Sequence, residues 1–200
     1  MTINRGKFIV FEGPDGSGQT TQAELLKISL ESRNREVIIT KEPTKESEFS
    51  QKISDILNHK ISATPCEFQE LVSKDRGVHL QKTILPAINS GKIVVSDRYF
   101  FATLAYGQLD CPLDRLRAFN QDFPSPDITF ILDVSPEICI ARIERRGKPV
   151  QFFETKEKLE KVLANYRSLF SMIPNVYIVN GERSIEEIHG EILELVSKIL

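Results

Sequence analysis

Five short apolar runs punctuate the chain: KFIVFE (7–12), EVIIT (36–40), KIVVSD (92–97), ITFILDV (128–134) and NVYIVN (175–180). The first four are apolar nearly throughout rather than alternating, as parallel strands must be when helices cover both faces. Between them the apolar spacing lengthens to the helical period, predicting helices over 20–32, 68–89, 136–146, 155–170 and 184–199. The last repeats Ile185, Ile188, Ile192, Leu195 and Ile199 behind Ser184 and two early glutamates, and reads as a structural helix without chemistry. Strands alternating with helices predict a three-layer α/β fold with a mostly parallel sheet, as one domain over 1–200. Ligands of such sheets sit at the carboxyl ends of the strands. That rule selects the segments 13–19, 41–48, 97–106 and the residues after Asp133.

The first of these is FEGPDGSGQTTQ (11–22), close to the phosphate-loop spacing G-x-x-x-x-G-K-[ST] with Gln19 in the lysine position. Gly13, Gly18 and Thr20 hold the motif positions between a strand and a helix. Around them Pro14, Asp15, Gly16, Ser17, Gln19 and Thr21 complete a loop whose backbone N–H groups turn toward an anion. The positive end of the following helix adds to that field. Thr20 offers its hydroxyl to Mg²⁺. A carboxylate pointing into such a loop would repel phosphate, so Asp15 is expected to point out, toward a sugar hydroxyl of a second substrate; its other reading is a turn residue in PDG. Gln19 carries no charge. A unit charge about 4 Å from a phosphate oxygen contributes on the order of 4 kcal/mol at an effective dielectric of 20, so this substitution bears on turnover more than on binding.

Composition narrows the partners. With 26 basic and 28 acidic residues the chain has no global attraction for polyanions, so phosphate must be met by a local cluster and nucleic acid polymers are not expected. No run approaches the ~20 apolar residues of a membrane span, and no signal-peptide pattern opens the sequence. Cys66, Cys111 and Cys139 are widely separated, which predicts neither a metal knuckle nor a disulfide framework and suits a reducing cytoplasm. The basic stretch RIERRGKPVQFFE (142–154) reads as a short lid, or as a solvated charge run.

Five pieces in order resemble the thymidylate kinases: the loop at 11–22, TKEPT (40–44), SKDRGVH (73–79), SDRYFFATLAYGQ (96–108) and PDITFILDVSPE (126–137), followed by the basic segment. The resemblance spans Phe8 to Asn180 and implies a P-loop kinase with a five-stranded parallel sheet. Its acceptor region falls at about 41–80 and its lid at about 142–154. It further implies ATP as donor, Mg²⁺, dTMP as acceptor, a homodimer and a cytoplasmic setting. Position by position, it places Asp97 near the metal with Thr20, and Arg98 toward the acceptor phosphates. Glu42 and Pro43 match the family's E-P pair, with Lys41 where arginine is more usual. Arg76 corresponds to the helical arginine that grips the acceptor, Asp15 to the acid at the sugar 3′-hydroxyl and Tyr106 to the tyrosine beside the deoxyribose. Gly16 implies that the catalytic arginine comes from the lid, so Arg142, Arg145 and Arg146 are candidates.

The departures cluster around the acceptor. Val72 replaces the stacking phenylalanine, Ala102 replaces a serine, Gly107 displaces the glutamine after Tyr106 to Gln108, and KESEFS (45–50) replaces glycines. The leading expectation is therefore a nucleoside monophosphate kinase acting on dTMP. Its alternatives are a nucleotide-binding protein without turnover, or a kinase for another nucleoside monophosphate.

Overall fold

A computed structural model describes residues 5–147, 153–170 and 173–200. The strands are β1 Phe8–Glu12, β2 Val37–Lys41, β3 Ile93–Asp97, β4 Ile128–Asp133 and β5 Val176–Asn180. All pair in parallel in the order β2-β3-β1-β4-β5. Consecutive residues of β1 go to opposite layers, which is why the run lacks alternation. Ile9 and Phe11 pack with Leu26, Leu30 and Ile192, whereas Phe8 and Val10 pack with Ile84, Ile88 and Tyr99.

The helices are α1 Gln19–Glu31, α2 Ser50–Leu57, α3 Pro65–His79, α4 Leu85–Asn89, α5 Phe100–Gly107, α6 Leu113–Asn120, α7 Pro136–Arg145, α8 Lys156–Phe170 and α9 Ile185–Ser197. The single helix expected over 68–89 is instead α3, a π-type turn at Leu80–Ile84 and α4. Pro86 has no N–H to donate back, so the ladder loosens before it and restarts with the proline in the first turn. Thr64 starts α3 with a reciprocal capping box to Glu67, and Ser184 does the same for α9 with Glu187. Three helices escape the periodicity, α2, α5 and α6, each 8 residues long. In α5 the sequence FFATLAYG is buried nearly all round, so no polar face marks the period.

Cys66 and Cys111 form a disulfide, with Cα atoms 5.2 Å apart, correcting the expectation of free thiols. Spacing could not reveal it, because α3 and the turn after α5 meet only in the fold. Closing a loop of 45 residues restricts the unfolded chain, so reduction, or Cys66→Ser with Cys111→Ser, should lower unfolding free energy by about 4 kcal/mol. Urea melts with and without reductant check this. Cys139 is free and buried.

Candidate active site

The carboxyl ends of β1, β2 and β3 open on a cleft of about 890 Å³. Its floor is the loop between β1 and α1. Gly13, Gly16 and Gly18 all have positive φ. At Gly16 a Cβ would come within 2.5 Å of the Cys139 carbonyl, so the close approach to α7 requires glycine as much as the dihedral does. Pro14 accepts from the Ser17 N–H at 3.0 Å and shapes the turn without lining the cleft. The first-turn N–H groups of α1, from Gln19 to Thr21, have no carbonyl one turn before them and lie at the cleft floor.

Gln19 does not reach for the cleft. Its Nε2 donates to the Gly13 carbonyl at 2.7 Å and the residue is buried, so the amide braces the two ends of the loop. A positive charge beside the first turn of α1 comes from β2. Lys41 Nζ lies 2.5 Å from Asp97 Oδ2 and 3.1 Å from Thr20 Oγ1, and Thr20 Oγ1 itself bonds Asp97 Oδ2. The Lys41 ammonium thus shows that a cation fits against these two oxygens. A hard divalent ion of the Mg²⁺ type takes such a donor set, completing its shell with water and phosphate. Among the described residues no three His, Cys, Asp or Glu side chains converge as an all-protein metal cage.

Against the outer side of the loop Asp15, Arg98 and Tyr106 form one cluster. Arg98 donates to Asp15 Oδ1 at 2.7 Å and to the Tyr106 hydroxyl at 3.1 Å, and the Asp15 N–H donates to that hydroxyl at 2.8 Å. Its guanidinium carbon also lies 4.9 Å from the centre of the Tyr106 ring. Asp15 therefore points out of the phosphate loop, as electrostatics required. Arg98 holds φ at 78°, a left-handed conformation uncommon for a side chain of this size, just as the chain leaves β3. Burial pushes the Tyr106 phenol far up, so the hydroxyl stays protonated. Asp97 and Arg98 do not pair with each other; each faces its own cluster.

Arg76 lines the cleft but is only 1% exposed. It donates to Glu42 at 2.7 Å, Asn120 at 2.5 Å, the Tyr99 carbonyl at 3.2 Å and Thr103 at 3.1 Å. Four of five N–H donors are thereby occupied. Glu42 is equally committed, holding Arg76 and the His79 Nδ1 at 2.9 Å, with Pro43 following through a cis peptide. Both residues frame the cleft more than they project into it. Behind them the buried Asp75 carboxylate explains the polar stretch after Pro43. It accepts from the Thr44 N–H at 2.7 Å, from the Thr44 hydroxyl at 2.6 Å and from Ser47, pinning the connection that enters α2.

The three basic-segment arginines separate. Arg142 braces the donor side, donating to the Ser17 carbonyl at 3.2 Å and the Gly181 carbonyl at 3.1 Å. Arg146 lines the cleft and pairs with Glu154 at 2.7 Å. Arg145 lies on the exposed side of α7, away from the cleft lining. Residues 148–152 of the expected lid lie outside the described residues. Sequence reading missed Gly181, Arg183 and Ile185, which close the cleft beyond the phosphate loop after β5. It also missed Glu12, although that residue stands in FEG beside the motif.

A sequence profile described as thymidylate kinase matches residues 11–192. The chain belongs to the thymidylate kinase family. A probable thymidylate kinase of Pyrococcus horikoshii is 41% identical over 198 residues, covering 96% of each chain. A thymidylate kinase of Desulfotalea psychrophila is 37% identical over 202 residues, covering all of this chain and 98% of its own. Membership makes the chain a phosphotransferase of the nucleoside monophosphate kinase class.

In this thymidylate kinase family member, Glu12 ties the phosphate loop to the acceptor wall. Its carboxylate accepts the Tyr99 N–H at 2.8 Å, the Ala102 N–H at 3.3 Å and the Tyr166 hydroxyl at 2.8 Å, so it caps α5 from β1. Complete burial pushes its pKa up to about 7 from an ordinary 4.5, against the opposing pull of Arg98 and these donors. The folded state then holds more protons than the unfolded one between those values, and stability falls as pH rises through that window. Glu12→Gln, with its Nε2 donating to the Tyr166 oxygen, should match the parent near pH 4.5 and exceed it by on the order of 3 kcal/mol at pH 8. Urea melts of both proteins across pH check this; a constant difference contradicts it.

Proposed function

We propose that the chain transfers the γ-phosphoryl group of ATP to dTMP, giving dTDP and ADP. The observation that carries this reading is an amide-lined phosphate loop whose Asp15 joins Arg98 and Tyr106 in one cluster lining the same cleft. The names borne by the relatives, thymidylate kinases, support the acceptor. The loop amides and α1 hold the donor phosphates, with the donor base at Arg142, Gly181 and Arg183. Arg98 faces the acceptor phosphate, and Asp15 and Tyr106 take the sugar hydroxyl side. The acceptor phosphate oxygen is the nucleophile, so positioning and charge neutralisation suffice and no general base is needed.

Thr20 and Asp97 would hold Mg²⁺, which when bound neutralises developing charge on the donor phosphates. Lys41 supplies the cation that position 19 lacks. At 59% side-chain exposure it is free to turn from Asp97 toward the phosphates. Arg146 is the lid arginine suited to join it. On the family pattern the active unit is a homodimer, which light scattering checks. The cytoplasm is its setting, where the Cys66–Cys111 bond would be an exception to the usual state of thiols.

Chromatographic detection of dTDP from ATP and dTMP, beside dUMP, dCMP and dGMP as acceptors, tests the reading. Formation of dTDP in preference to the other products is expected. Nucleotide binding without any diphosphate product would overturn it in favour of a non-catalytic binder. Preference for another acceptor would keep the kinase and change its substrate.

A further inference from the structure

Along α3 the acceptor wall carries one polar side chain without a protein hydrogen bond among the described residues. Gln69, Val72 and Arg76 stand at i, i+3 and i+7 on α3, one face of the helix, and all three line the cleft. Arg76 has four of its five donors engaged by protein. Val72 offers only apolar surface. Gln108, the displaced amide after Tyr106, turns back and donates to the Leu104 carbonyl at 3.1 Å, so it is spent on its own helix.

Gln69 is different. It is 5% exposed, and among the described residues its amide makes no side-chain hydrogen bond. The amide opens on the cleft rather than being sealed in the core, so a ligand at this wall can supply the partner that the protein does not. Gly107 explains how the side chain fits: a Cβ there would lie 3.2 Å from Gln69 Cγ and 2.7 Å from Leu116. The glycine that displaces one amide thus makes room for another from the neighbouring helix. Around Gln69 the wall is aromatic and apolar. Phe68 and Phe153 have ring centres 6.2 Å apart, and Tyr106 and Phe153 meet edge to face at 5.3 Å. Gln69 is the neutral side-chain amide beside these rings, whereas the Thr103 hydroxyl of the same lining already accepts from Arg76 at 3.1 Å.

We propose that Gln69 reads the polar edge of the acceptor base, its carbonyl accepting from N3–H and its NH₂ donating to O4 of a pyrimidine imide. Phe68 and Phe153 replace the stacking surface that Val72 cannot give. This inference rests on the proposed kinase reading and assigns base selectivity within it.

Steady-state kinetics of the full chain, wild type and Gln69→Leu, with dTMP and with N3-methyl-dTMP, test the assignment. A bidentate pair of this kind is worth about 1–3 kcal/mol, a factor of roughly 5 to 150. Gln69→Leu should raise KM for dTMP by about 10- to 100-fold, with kcat within about threefold and KM for ATP unchanged. The wild type should reject the N3-methylated acceptor by a similar factor, and the variant should treat both acceptors nearly alike. An unchanged dTMP KM overturns the assignment, as does a parallel rise in both KM values, which would mark a structural role. If Gln69→Leu does not fold, Gln69→Glu keeps the shape and turns a carboxylate oxygen toward O4, and the same two outcomes apply. Absence of dTMP phosphorylation by the wild type would instead defeat the kinase reading itself.

Discussion

Arg98→Ala should lower kcat/KM for dTMP by about a thousandfold or more. The guanidinium is the charge that joins the carboxyl end of β3 to both Asp15 and Tyr106, and its side chain is 13% exposed. A unit charge about 4 Å from a phosphate oxygen contributes on the order of 4 kcal/mol at an effective dielectric of 20, which is about a thousandfold in rate. Arg98→Lys should recover part of this. It keeps the charge but loses the planar fork that spans a carboxylate and a phenol at once. The alanine variant also leaves Asp15 without its partner, so a thermal melt should accompany the kinetics. A folded Arg98→Ala protein with kcat/KM within about tenfold of the parent would place the acceptor phosphate elsewhere.

The second large effect is expected at Lys41. In a loop whose nineteenth residue is an amide turned back onto Gly13, the Lys41 ammonium stands beside Thr20 and Asp97 at the start of α1, where it can meet the donor phosphates. Lys41→Ala should lower kcat by about 10²- to 10³-fold. Its effect on stability should stay below about 1 kcal/mol, because a pair with one partner so exposed contributes little to folding. That split between rate and stability separates a chemical role from a structural one. Gln19→Lys should return most of the lost rate to the Lys41→Ala protein. In the wild-type background it should change kcat by less than about tenfold. The two positions are therefore expected to be strongly non-additive, as groups that fill one role are.

The sheet was legible because both its faces are covered. Each of the five apolar runs became a strand within a residue of its ends. Helices long enough to show a period were legible for the same reason, whereas α5 was not, being apolar on every side. Phosphate-loop geometry followed from three glycines between a strand and a helix, and the outward turn of Asp15 from charge repulsion alone.

What sequence could not give is how polar groups are spent. Arg76 reads as a gripping arginine, yet the fold surrounds it with Glu42, Asn120, Tyr99 and Thr103, residues from three separate segments. The KESEFS stretch reads as a departure from a glycine turn until Asp75, from α3, is seen to hold its Ser47 and Ser50 hydroxyls. Cys66 and Cys111 were misjudged because 45 residues of intervening chain hide a contact made only in three dimensions. Gln19 is the sharpest instance. Its residue type announces a missing charge, and only the folded loop shows that the amide took up a bracing role.

The most direct test of Lys41 as the replacement charge is the rate of dTDP formation from dTMP and ATP with Mg²⁺, measured for the wild type beside Gln19→Lys. Turnover by the wild type is expected, with a change of less than about tenfold in the variant, because Lys41 already supplies the charge. No product from the wild type, with a gain of about a thousandfold or more in Gln19→Lys, would contradict it.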